Sequence, residues 1–300
     1  MLENPADAGR ELALATTYEG DDPALLERIV ALVDAIEIAP DAIAQSRGGR
    51  ATLRREVLAE YAAVPDRVSF IAHGVGLSIG SYDRWDATYL RLLDELFSEI
   101  DLVWHSEHLA CTMVGGENVG SMLSLPYTEE ALALVCARVA ELQRRYPAPF
   151  LLEHAVRLLP QAPGDYSQAG FLNALTQRTG CGLILDAYNL RCDALNWQLD
   201  VDGFLSELDL TPVRELHVAG GVQYNGFQLD IHSRPIADDT FALALDIIER
   251  APNLRIVTYE FLKEAVDALG HDAICAELSR LGKVIEQCRH SKSSSMRCSI

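Results

Sequence analysis

Short apolar runs along this chain end on residues that can bind metals. The runs contain or end at Glu37, His73, Glu107 with His108, Glu153 with His154, Asp186, His217 and Glu260. Burying one unpaired ionisable group at a strand end is costly, and repeating the cost at equivalent positions is not a random pattern. Three imidazoles and three carboxylates converging on one place make a metal site, because the carboxylates repel one another unless cations neutralise them. Asp230-x-His232, in QLDIHSRPI, adds two side chains that point the same way from an extended segment. The candidate ligands are therefore His73, His108, Glu153, Asp186, His217, Asp230, His232 and Glu260. A mononuclear site uses fewer, so two or three ions are expected. Mixed nitrogen and oxygen ligation without obligate sulfur fits Fe, Mn, Zn or Co.

Other residues of reactive type carry less. His105 alternates with Glu107 and is read as structural or as a support for the ligands. Gly115-Gly116 reads as a turn. Ser78 and Ser81 lack a G-x-S-x-G elbow, so a serine hydrolase is not expected. His271 belongs to a helix start.

The elements that must position the ligands alternate between two types. Eight β-type runs cover Leu12–Thr17, Ala35–Ala39, Val68–His73, Leu102–Glu107, Phe150–Glu153, Gly182–Asp186, Glu215–Ala219 and Ile256–Glu260. Between them lie helical stretches at 23–32, 51–62, 89–97, 128–145, 167–178, 200–208 and 238–250, and a last one follows at 271–288. Asp22 and Thr128 are plausible N-caps, and Pro23 suits the first helical position. Several runs are nearly continuous Val/Ile/Leu, as expected for strands covered on both faces. Eight β/α units over roughly 270 residues predict a (β/α)8 TIM barrel, whose functional groups sit at the C-terminal ends of the strands. An open doubly wound sheet is the competitor, but no G-x-G-x-x-G follows the first run. One barrel domain over 1–290 and a disordered polar tail over 291–300 are expected.

Composition narrows the partners. With Lys+Arg 25 and Asp+Glu 44, the net charge is −19. No basic surplus exists to neutralise nucleic-acid phosphates or to hold an anionic membrane surface. A basic peptide is permitted. No window of the sequence approaches a transmembrane helix, and the N-terminus lacks the pattern of a signal peptide. Seven scattered cysteines without CxxC fit a reducing cytoplasm and read as small buried hydrophobes plus a tail thiol.

Five blocks carry a resemblance. They are HGVGLS from His73, SEHLA from Ser106, Leu151-Leu152-Glu153, LDAYN from Leu185, and ELHVAG from Glu215, with Asp230-Ile231-His232 and Tyr259-Glu260 following in order. From about residue 12 to 275 the chain resembles the DUF692 family of multinuclear non-heme iron-dependent oxidases. The resemblance implies a xylose-isomerase-like barrel, two or three irons of mixed Fe2+/Fe3+ state, and O2 as co-substrate. It also implies a ribosomally made precursor peptide as substrate, modified most often at cysteine, and a small partner protein that presents the leader. Family reactions include oxazolone–thioamide formation in methanobactin assembly and cysteine β-carbon removal in the 3-thiaglutamate pathway.

By position, the resemblance makes His73, His108 and Glu153 ligands of one iron, with Glu153 a bridge. Asp186, His217 and Glu260 match a second set, and Asp230 and His232 a third. Glu107, Tyr188 and Asn189 stand as candidate catalytic residues. Tyr188 occupies a position where the family usually supplies an Asn ligand, so the third ion is expected to be held more weakly, with His154 a candidate to compensate. Glu37 matches no ligand, and its Glu-x-x-Pro-Asp segment differs from the family's usual Glu-x-x-Pro-Glu-Asn. The alternative is a redox-neutral metal-dependent isomerase or phosphodiesterase on the same barrel.

Overall fold

A computed structural model describes residues 11–47, 50–82 and 84–297. Eight parallel strands form its centre: β1 Ala13–Thr17, β2 Ala35–Ile38, β3 Ser69–Gly74, β4 Leu102–Val114, β5 Phe150–His154, β6 Gly182–Asp186, β7 Val213–Val218 and β8 Ile256–Tyr259. Their order around the sheet is β3-β2-β1-β8-β7-β6-β5-β4, and β3 pairs with β4 to close it into a barrel. The TIM barrel predicted from sequence is the fold observed.

Period-two alternation sorts each strand into an inner and an outer face. Ala15, Ala35, Ile71, Trp104, Leu151, Ile184 and Ile256 pack together as an interior apolar layer. Two residues further along most of these strands stand polar groups: Thr17, Glu37, His73, Ser106, Glu153, Asp186 and Thr258. This second layer is the polar ring at the C-terminal mouth. The opposite faces supply the larger core between barrel and helices, including Ile36, Ala72, Leu152, Leu185, Leu216 and Val257.

The helices follow local signals. Asp22 caps Pro23–Ile29 by accepting from Leu25 N, and Thr128 caps Glu129–Arg145 by accepting from Ala131 N. Three hairpins, the helix Ala187–Trp197 and a short helical segment over Lys263–Leu269 go beyond the sequence reading. Ala44–Arg47 pairs with Arg50–Leu53, so strand replaces the start of the expected 51–62 helix. β4 runs on past the mouth and folds back on Glu117–Ser124 through Gly115 and Gly116, both at positive φ. Val222–Tyr224 pairs with Phe227–Leu229. The helix Ala187–Trp197 starts directly at the end of β6, with Asp186 as its N-cap.

The last helix runs from His271 to Arg297. The helix passes the end expected at 288, since no Pro or Gly interrupts 289–297. Residues 298–300, including Cys298, lie outside the described residues. No helix among the described residues is long and apolar enough to cross a membrane. Among the described residues no cysteine forms a disulfide.

Candidate metal centre

β5 sets the middle of the site. Glu153 is fully buried, with Oε2 2.8 Å from His73 Nε2 and 3.2 Å from His108 Nε2. Its other oxygen lies 3.8 Å from His217 Nδ1 and accepts from Asn189 Nδ2 at 3.2 Å. One carboxylate from β5 therefore faces imidazoles of β3, β4 and β7.

The ring nitrogens are sorted by their neighbours. Ser106 Oγ donates to Ala72 O, so it accepts at 2.9 Å from His73 Nδ1. His108 Nδ1 donates to the Gly74 carbonyl at 3.1 Å. Both rings are left with an unprotonated Nε2 facing Glu153, the form a metal needs.

Glu260, just past β8, joins the other donors. Its Oε2 lies 2.9 Å from His217 Nδ1 and 3.3 Å from His232 Nδ1. His232 Nε2 is 2.5 Å from Asp230 Oδ1 and 3.7 Å from Asp186 Oδ2. His232 holds φ at +37°, an uncommon conformation for a side chain this large, in the segment that turns it into the cluster.

The protonation tendencies are those of a site built for cations. Burial pushes Glu153 well above the usual carboxylate range and Asp186 up to about 7. Glu37 is pushed up to about 8, again chiefly by burial. His217 is raised because Glu37, Glu260 and Glu153 outweigh its burial. His232 is raised because Glu260 and Asp230 do the same. Burial, then the charges of His108 and His217, keep His73 neutral.

Buried donor atoms without hydrogen-bond partners test the fit to metal. They include His73 Nε2, Glu153 Oε2, Asp186 Oδ2, His217 Nδ1, Asp230 Oδ1, His232 Nε2 and Glu260 Oε2. Native proteins leave few such atoms bare, and these crowd one spot. Three overlapping groups have metal-binding geometry: His73–His108–Glu153, Glu153–Asp186–His217 and Asp186–His232–Glu260. A fourth joins Glu37 to His73 and His217, which the sequence reading left without a role for Glu37. The residues present fit two or three cations.

Other candidates are placed elsewhere. Glu107 faces outward, against His105 Nε2 at 2.9 Å and near the Tyr89 hydroxyl at Gly74. Strand alternation explains this: Ser106 and His108 take the inner face of β4, and His105 and Glu107 take the outer one. His105 packs on Phe97, Tyr146 and Phe150 as a core histidine. His154 likewise points outward, toward Phe204, and so does not reach the third group. Asn189 supports Glu153, as above. Tyr188 is 1% exposed, packs its ring edge-on to His232 at 6.1 Å, and directs its hydroxyl to the Phe227–Leu229 strand. It donates to Leu229 O at 3.1 Å and accepts from Gln228 Nε2 at 2.5 Å.

Tyr188 thus anchors the segment that leads into Asp230 and His232. Gly221 makes room for it, since a Cβ there would stand 2.4 Å from the Tyr188 hydroxyl. Tyr188→Phe is expected to cost about 1–3 kcal/mol by leaving the Gln228 amide without its acceptor. It should also loosen the Asp230–His232 group more than the other two. Thermal melting and metal analysis check this; an unchanged metal count with an unchanged melting temperature contradicts it.

Above the centre lies a cleft of about 410 Å³ that reaches Asp230. Thr112, Asn118, Gly120, Ser121 and Met122 line one side. The ladder jumps here from Cys111↔Leu123 to Met113↔Asn118, so Val119–Met122 bulge out without ladder partners.

A parallel eight-stranded barrel with a His/Glu/Asp cluster at its mouth defines a xylose-isomerase-like TIM barrel. Solved structures of similar shape include an L-ribulose 3-epimerase, at TM-score 0.57 and 14% identity over 95% of this chain and 98% of that one. The IOLI protein with a bound zinc atom is similar at TM-score 0.57 and 13% identity, over 91% and 97%. These likenesses show the fold alone. Within it, residues 22–262 match the family of RiPP precursor modification enzymes MbnB/TglH/ChrH, and the chain belongs to that family. A UPF0276 protein of Caulobacter vibrioides strain NA1000 / CB15N is 37% identical over 60% of this chain, a match spanning 65% of that protein's length. One from Paraburkholderia phytofirmans is 31% identical over 72% of each chain.

Proposed function

We propose that this protein is a multinuclear iron- and O2-dependent oxidase that modifies a residue of a ribosomally synthesised precursor peptide, with cysteine the first candidate. The observation that carries the reading is the convergence of bare, buried nitrogen and oxygen donors at the mouth of a barrel that belongs to a peptide-modifying family. His73, His108 and Glu153 would hold one iron; Glu153, Asp186, His217 and Glu260 a second; Asp230 and His232, with Asp186 and Glu260 beside them, a third. Iron with O2 supplies oxidising power that no side chain has.

The chain's own residues do the rest. Glu153 draws the first two groups together, and Asn189 orients it. The Val119–Met122 backbone stands outside the ladder, with Gly120 N donating to Asn118 Oδ1, and its remaining groups offer an extended peptide hydrogen bonds that do not depend on its sequence. The cleft admits only a few residues at a time, which suits a local modification on a longer chain. A small leader-binding protein would supply the rest of the affinity. Cysteines without disulfides among the described residues suit a reducing cytoplasm.

The test is co-expression with candidate precursor peptides taken from short reading frames near this gene, followed by mass spectrometry of the peptides. A defined mass change is expected that requires iron and consumes O2. Full turnover under nitrogen with Mg2+ or Zn2+ would overturn the oxidase reading.

A further inference from the structure

The interior apolar layer has one exception. Seven of its strand positions are Ala15, Ala35, Ile71, Trp104, Leu151, Ile184 and Ile256. On β7 the equivalent position is Glu215, in register with Ile184 and Ile256 and fully buried. A carboxylate among apolar side chains costs several kcal/mol unless it is well paired. Here both oxygens are held. Trp104 Nε1 donates to Oε2 at 2.8 Å, and Thr258 Oγ1 donates to Oε1 at 2.5 Å. Each oxygen thus accepts a hydrogen bond from a buried donor.

Oε1 of Glu215 also lies 3.4 Å from His217 Nε2. Glu37 Oε2 lies 3.2 Å from the same nitrogen. Nδ1 faces two carboxylates as well, Glu260 at 2.9 Å and Glu153 at 3.8 Å, but these belong to the metal-binding groups while Glu215 and Glu37 lie on the far side of the ring. A cation seated beside Glu153 and Glu260 would take the Nδ1 lone pair and leave the ring's one proton on Nε2. His73 and His108 have the opposite arrangement, with Nδ1 occupied and Nε2 free.

We propose that Glu215 is a positioning residue that, with Glu37, holds His217 with its Nε2–H toward the barrel floor. His217 then meets the metal centre through Nδ1, while His73 and His108 use Nε2. The inference rests on the metal-centre reading but not on the oxidase chemistry. A carboxylate behind a ligand imidazole fixes its tautomer and raises its basicity, and losing such a partner typically costs 10–100-fold in metal affinity. Glu37, His73 and His217 are close enough to hold an ion of their own. The only free nitrogen of His73, however, already faces Glu153 at 2.8 Å.

The experiment is anaerobic Fe2+ binding, measured by chelator competition, for the wild type, Glu215→Gln, His217→Ala and the double variant. Gln keeps the size and the Trp104 acceptor but turns an amide N–H2 toward His217 or Thr258. Glu215→Gln should weaken the ion held by His217 about 10–100-fold and leave the His73–His108 ion unchanged. In the His217→Ala background it should cause no further loss, which a general destabilisation of the barrel would not reproduce. Thr258→Val, which removes one donor to Glu215 but keeps the carboxylate, should show a smaller loss at the same ion even if Glu215→Gln folds poorly. Additive losses in the double variant would overturn the proposal. So would Glu37→Ala removing a whole iron equivalent that Glu215→Gln retains, since Glu37 would then be a ligand. A wild type that binds no Fe2+ would defeat the metal-centre reading itself, and this proposal with it.

Discussion

Glu153→Ala is expected to abolish turnover and to lower bound iron by more than one equivalent. Its two oxygens serve different groups. Oε2 faces His73 and His108, and Oε1 faces His217. Removing the side chain takes a shared oxygen ligand from both groups. The Asn189 amide loses the nearer of its two acceptors, and cations held by the two groups would lose the anion between them. The effect should exceed that of a ligand on one ion, such as Asp230→Ala. His154→Leu is the control. That ring sits one residue away but on the outer face, against Phe204, so iron content should stay at the wild-type level. Elemental analysis after anaerobic reconstitution gives the comparison. Loss of a single equivalent in Glu153→Ala, or equal losses in His154→Leu, would show that the bridge is misplaced.

Much of this site was legible because barrel strands are short and buried on both faces. A polar residue closing a Val/Ile/Leu run has few structural excuses, and each of the eight runs lies on an observed barrel strand. A polar residue that closes an apolar run stands out against its neighbours, whereas one inside or opening a run does not. Glu107 was legible as a strand-end acid, but its face was not, because β4 carries polar residues on both sides from His105 to His108. Glu215 was legible in principle, two residues before His217 and so on the same face. It opens the run instead of closing it, so no preceding apolar stretch marks it as a strand-end ligand. Ser106 and Trp104 work through distances to neighbouring strands, and no single-strand pattern contains those. The helix Ala187–Trp197 was hidden because it needs no loop: Asp186 ends the strand and caps the helix at once. The bulge at Val119–Met122 depends on a register slip that has no sequence signature beyond Gly120.

Removing the metal should make the protein's stability strongly dependent on pH between 7 and 9. In the folded chain Asp186 is pushed up to about 7 and Glu37 to about 8, both chiefly by burial. Unfolded carboxyls titrate near 4. Across the interval between, the folded state holds protons that the unfolded state has released, so raising the pH favours unfolding. His217 and His232, raised by their carboxylate neighbours in spite of burial, act in the same direction. Their contribution is present below the ordinary histidine value and is lost as pH rises through the folded one. His73 and His108 are lowered, first by burial, so they are already neutral in both states above pH 7 and stay silent in this window. Glu260 is held low because His232 and His217 outweigh its burial, and it is ionised throughout. Metal-free protein should therefore melt at progressively lower temperature from pH 7 to pH 9. Bound cations replace the protons that the acids would otherwise need, and the same carboxylates become ligands as pH rises. Loaded protein should hold its melting temperature over the same range, and its affinity for Fe2+ should increase toward pH 9. Parallel melting curves for loaded and chelator-treated protein across the window would mean that these buried acids do not face a cation at all.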